Sequence, residues 1–189
     1  TYGNYTNESC MIVEDLQQRG LFEESRRRIA VWLKYQGSAG TAGRFSDHDG
    51  VFFGAGGFEG GQCYTQNHGW ALWAIANQFI YERDEQWFRQ VADAVVVGAE
   101  WVFRQRRLTM GAVPFSRGWE YGFLPPGGLE DVGDFWCWLS TNALTWRGVD
   151  TAARALEMIG HDQAARIRKE ANAYKRDLIA GFDRMRRHS

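Results

Sequence analysis

Apolar side chains recur at the helical period along most of this chain, and the pattern fails in two segments only. From Glu8 to Leu16 and from Phe22 to Gln36 the spacing suits helices, as in Ile29, Leu33 and Gln36 beside Val31 and Tyr35, and Gly20 divides the two runs. That predicts a helical hairpin over residues 7–37. A second hairpin is expected over 67–106. Trp70, Trp73, Ile75, Ala76 and Phe79 suit its first helix, and Trp87, Val91, Val95, Ala99, Val102 and Phe103 its second. Glu82-Arg83-Asp84 lies between them, with Asp84 placed to cap the second helix. A third hairpin is expected over 131–187, running from about Asp134 to Ile159, turning at Gly160-His161-Asp162 and returning from Gln163. The fold class is therefore all-α, a single helical domain over residues 1–189.

The two interruptions are long loops. One, GSAGTAGRFSDHDGVFFGAGGFEGGQCYTQ, is glycine-rich, and the other, MGAVPFSRGWEYGFLPPGGLEDVG, holds all three prolines, Pro114, Pro125 and Pro126. Each follows the second helix of one hairpin and leads into the next, so a ring of hairpins would carry both on one rim. Loops of that length in a compact domain usually carry function. A short β-ribbon within Gly50–Tyr64, involving Val51-Phe52-Phe53, is a further expectation.

Composition narrows the partners. With 22 basic and 23 acidic side chains the net charge is −1, which argues against attraction to nucleic acid or an anionic membrane and fits a small neutral partner. No apolar run approaches the roughly 20 residues needed to cross a bilayer, and the start, TYGNYTNES, has no signal-peptide pattern. Beginning at Thr1, the chain reads as a processed or excised product, so compartment stays open. Cys10, Cys63 and Cys137 are odd in number and widely spaced, against a disulfide framework. Two sequons, at Asn4 and Asn7, carry no weight as so short a pattern recurs by chance. Nine Trp and 15% aromatic residues suit either sugar stacking or large helical cores.

Two stretches resemble the six-hairpin glycosidase superfamily, particularly its uncharacterised glycosidase-like members. QNHGWALWAIANQFIYERDEQWF looks like an inner helix, turn and outer helix, and GFLPPGGLEDVGDFWCWLSTNALTWRGVDTAARALEMIGHDQAARIRKEANAY like a later segment. The likeness covers most of Leu16 to Leu178. It implies an (α/α)6 toroid whose inner helices and one rim line a carbohydrate cleft. Three hairpins make about half of such a ring, so the resemblance also implies completion by a second copy in a homodimer or by the remainder of the toroid.

Glycoside hydrolysis needs two carboxyl groups across the scissile bond. Glu120 is the candidate acid, standing in the proline-bearing loop between Trp119 and Tyr121, where aromatic neighbours would favour its protonated form. Its plain alternative is a solvated loop residue. Asp131 and Asp134, beside Glu130, are candidate partners, although acids at a helix start are also what capping predicts. The implied chemistry is inverting hydrolysis of a neutral saccharide.

Candidate saccharide contacts are Asn67, His68, Trp70, Trp73, Trp119 and Trp136. Trp70 and Trp73 share a helix face that points either into the ring or into the core. Trp136, Asn142 and Arg147 on the third inner helix pose the same choice, while Phe135, Trp138 and Leu139 read as packing. Asp47-His48-Asp49 could supply a base or hold a divalent cation, but a turn through Asp49-Gly50 accounts for it equally simply. No cofactor is called for, and GAGGFEGG lacks the lysine of a phosphate-binding loop. Two rivals remain, a non-catalytic carbohydrate-binding or assembly module, and a zinc-dependent toroid using Cys63, His68 and Cys137, whose spacing matches no specific zinc signature.

Overall fold

A computed structural model describes residues 5–52, 63–111, 118–130 and 132–188. Six helices account for most of them: α1 (Thr6–Gln18), α2 (Phe22–Lys34), α3 (Asn67–Glu82), α4 (Glu85–Met110), α5 (Leu139–Met158) and α6 (Ala164–His188). Three short strands, β1 (Cys63–Tyr64), β2 (Gly127–Glu130) and β3 (Val132–Trp136), form one antiparallel sheet in that order.

The hairpin turns follow from local chemistry. Gly20 and Gly160 adopt φ of +74° and +63°, a left-handed conformation that costs glycine nothing. Each is followed by a closing backbone bond, Leu21 N–H to the Leu16 carbonyl at 2.9 Å and His161 N–H to that of Leu156 at 3.0 Å. The middle turn uses Arg83 at φ +65° instead, and Asp84 then caps α4 by accepting the Trp87 N–H at 2.9 Å.

α1, α3 and α5 lie side by side. α2, α4 and α6 pack behind them, and α2 and α4 each also touch the odd-numbered helix of the following hairpin. α3 is the centre of the core, with Ala71 through Ala76 all buried and Phe79 stacked on Phe88 of α4 at 4.7 Å. α3 and α5 approach most closely at two glycines. A β-carbon on Gly69 would stand 2.6 Å from the Thr145 Cα, and one on Gly148 would stand 2.5 Å from the Gly69 carbonyl oxygen. Side chains at these positions would force the two backbones apart.

The third hairpin begins later than its sequence pattern predicts. Gly127–Glu130 and Val132–Trp136 pair as antiparallel strands, with Gly127 opposite Trp136 and Leu129 opposite Val132, and α5 starts at Leu139. Asp134 is therefore an exposed strand residue rather than a first-turn helical one. The ribbon expected within Gly50–Tyr64 takes a different form: Val51 and Phe52 are buried outside any strand, Phe53 lies outside the described residues, and only Cys63–Tyr64 is a strand, paired with β2.

That pairing ties the two long loops together. The Arg44 N–H donates to the Pro126 carbonyl at 2.8 Å, the Gly128 N–H to that of Ala42 at 3.0 Å, and the Thr65 hydroxyl to that of Gly128 at 2.6 Å. The loops do share one end of the helical layers, as their places in the chain predict.

Candidate functional site

A cleft of about 580 Å³ opens where these loops meet the end of α4. Trp119 and Glu120 form part of its wall, Phe135, Trp136 and Cys137 another, and Arg44 reaches it from the glycine-rich loop. Three of these side chains are aromatic and unusually open, with Trp136 56% exposed, Phe135 42% and Trp119 37%. Phe135 is thus a surface ring in the cleft, contrary to its reading as packing. Among the described lining residues, Glu120 is the one carboxylate and Arg44 the one cation.

A buried network positions the proline-bearing loop. Arg106 of α4, 1% exposed, donates through Nε to the Gly122 carbonyl at 2.7 Å and through Nη2 to Asp177 at 2.7 Å, and its guanidinium lies 4.1 Å from the Tyr174 ring centroid. Asn142, buried near the start of α5, accepts the Leu124 N–H at 2.7 Å and the Tyr174 hydroxyl at 2.7 Å. Trp119 packs edge-on against buried Phe123, and its carbonyl receives Arg184 at 3.4 Å. Backbone near Glu120 is therefore held from α4, α5 and α6 together. The glutamate itself folds over Gly118, where an added β-carbon would stand 2.6 Å from a carboxylate oxygen.

Glu120 also acts on its neighbour. Burial first, and then the negative charge of Glu120, push the Cys137 thiol up to about 11, with Arg44 opposing. Cys137 is accordingly a neutral thiol near pH 7 and a poor nucleophile as it stands.

Among the described candidates, Asn67, His68, Trp70, Trp73 and Asp134 are not in the cleft lining. Asn67, His68 and Trp73 are buried, and Trp70 is half-buried against the core, edge-on to Trp73 at 5.6 Å. The Arg147 guanidinium covers Trp73 at 4.0 Å. Of the two alternatives open for Trp70 and Trp73, Trp73 takes the core one and Trp70 packs partly against it, because α3 has neighbours on several sides. Asp131 lies outside the described residues, as do the side chains of Glu130 and Cys63. Asp47 accepts Arg104 at 2.9 Å, which holds its carboxyl down at about 2, and the Val51 N–H closes a turn on the His48 carbonyl through Asp49-Gly50.

His68 is committed at both ring nitrogens. Nδ1 accepts the Phe52 N–H at 3.0 Å, so Nε2 carries the proton and donates to the Gly98 carbonyl at 3.0 Å, with Phe52 stacked on the ring and Trp101 edge-on. Neither nitrogen is free for zinc, and among the described residues no three His, Cys, Asp or Glu side chains cluster as metal ligands. Burial lowers the imidazole to about 4. The unfolded chain, with an ordinary value near 6.5, binds this proton first, so stability is full above about pH 6.5 and falls as pH drops toward 4. Going from about pH 7.5 to about pH 4.5 should remove about 2–3 kcal/mol in urea titrations. His68→Gln should flatten that slope, and an unchanged slope would refute the assignment. Asp47 loses its contribution only below about pH 4, outside the window.

No helix among the described residues is long and apolar enough to cross a membrane. No protein-family model, no curated protein and no solved structure matches this chain.

Proposed function

We propose that the chain is three hairpins of a six-hairpin ring whose cleft binds a neutral saccharide, with Glu120 as the general acid of glycoside-hydrolase-like chemistry. The observation that supports this most is the exposure of Trp119, Phe135 and Trp136 around one cleft with Glu120 in its wall. Rings left open to water are energetically unfavourable unless a ligand covers them, and sugar faces are apolar enough to stack on indole. A carboxyl group beside such a platform is within the chemistry that protonates a glycosidic oxygen. The side-by-side row of α1, α3 and α5, backed by α2, α4 and α6, is the arrangement a ring segment requires.

One observation favours a second reading, a binding module without turnover. Hydrolysis needs a second carboxylate, and Glu120 stands alone among the described lining residues. In the hydrolytic reading that group comes from Asp131, Asp134 or outside the chain.

Calorimetric titration with a panel of neutral oligosaccharides tests the shared part of both readings. At least one should bind, and Trp136→Ala should weaken it about tenfold, as expected for the loss of one stacking ring. If none binds at millimolar concentration, the saccharide assignment fails.

A further inference from the structure

The first and last helices, α1 and α6, carry opposite charge, and each keeps a face in water while packing on its neighbours, α1 on α2 and α3 and α6 on α5 and α4. α1 carries Glu8, Glu14 and Asp15 and no basic residue. α6 carries eight Lys and Arg against three Asp and Glu and remains net basic although Arg166 and Arg168 pair with Glu100, Asp150 and Glu157. Each leaves apolar side chains in water: Met11 is 54% and Ile12 47% exposed on α1, and Ile179 is 55% and Phe182 47% exposed on α6.

Within the chain the hairpins meet by a repeated rule. The second helix of one hairpin packs on the first helix of the next, α2 on α3 and α4 on α5. Extending the rule once, α6 calls for a helix that stands as α1 does. The directions agree as well, because the two helices of such a contact run oppositely. The end of α6, with Ile179, Phe182 and Arg187, would then lie along the beginning of α1, with Glu8, Met11 and Ile12, and Glu14 and Asp15 of α1 would lie toward the start of α6, with Lys169.

We infer that two copies of this chain associate, α6 of each against α1 of the other. Both halves of the complementary pair are on one chain, so a two-fold axis satisfies two identical contacts at once and leaves no end open. Closure by two copies rests on the six-hairpin reading proposed above, whereas the α6–α1 contact rests on charge and exposure alone. A second copy carries both the acidic and the basic surface.

Sedimentation equilibrium of the wild-type chain should give twice the 21.6 kDa of one chain. Ile179→Glu and, separately, Met11→Glu should each raise the dissociation constant at least about tenfold, because each places a carboxylate in an apolar contact. Both positions are solvent-exposed, so the helical circular dichroism, and the thermal midpoint measured at concentrations where wild type is also dissociated, should be unchanged, and loss of mass cannot be ascribed to unfolding. A wild-type monomer at every concentration overturns the proposal and leaves the cleft reading to the oligosaccharide titration. A dimer indifferent to both substitutions also overturns it. An assembly larger than two overturns it together with the six-hairpin ring.

Discussion

Replacing Arg106 with alanine lowers the unfolding free energy by about 3–5 kcal/mol, the range expected when one member of a buried charge pair is removed. Burial disfavours this cation and lowers its pKa, while the Tyr174 ring, Asp177 and Glu170 oppose the shift. Take the arginine away and the Gly122 carbonyl loses its donor, the Asp177 carboxylate loses a partner at 2.7 Å, and a cavity opens against Tyr174. Arg106→Met refills the volume but removes the 2.7 Å guanidinium partner of Asp177, so it should recover only part of the loss. Adding Asp177→Leu should recover most of the remainder, since an apolar pair of similar volume often equals a buried ion pair. Urea unfolding followed by circular dichroism reads all three variants. A loss below about 1 kcal/mol for Arg106→Ala would show that water reaches this site and that the network does not anchor the loop.

Glu120→Gln should reduce turnover of any neutral oligosaccharide that the chain hydrolyses by about 10²–10⁴-fold, the usual contribution of a positioned general acid. The amide keeps the shape of the side chain over Gly118, so saccharide affinity should change little. A fall in kcat with unchanged KM is the signature of a group that acts in the transition state. Cys137→Ser is the control. Its thiol is held neutral in the same cleft, so its hydroxyl counterpart should leave the rate intact. Unchanged turnover in Glu120→Gln would remove the residue from the chemistry. Loss in Cys137→Ser instead would assign the reaction to sulfur.

Much of the helical order was legible because the determinants are local. Gly20, Asp84 and Gly160 act on backbone groups a few residues away, and the structure uses all three as the pattern predicts. The start of α5 was misread for the opposite reason. Glu130, Asp131 and Asp134 read as the acidic cluster of a capped helix, but Asp134 lies in β3, which pairs with β2, and β2 in turn pairs with Cys63–Tyr64, a partner too distant in sequence for any local pattern to record. Periodicity also could not say which side of α3 faces a cleft, because Trp70 and Trp73 have the same spacing whether neighbours lie on one side or several. Trp119 and Glu120 were readable as an aromatic and an acidic residue in the proline-bearing loop, whereas Trp136, expected on the third inner helix, ends β3 instead. Arg44 was not, since a lone arginine among glycines has no signature, and the backbone bonds of residues 42–44 to residues 126–128 bring it to the cleft.

The contact between Gly69 and Gly148 bears on curvature. In a row of hairpins the angle between successive units depends on how closely the front helices approach relative to those behind, and here α3 and α5 meet at backbone distance. Enlarging either glycine would widen the front of this one junction while leaving the back unchanged, so the second and third hairpins would meet through a smaller wedge. In the ring proposed above, the turn at this junction is therefore set at a helix contact outside the cleft lining.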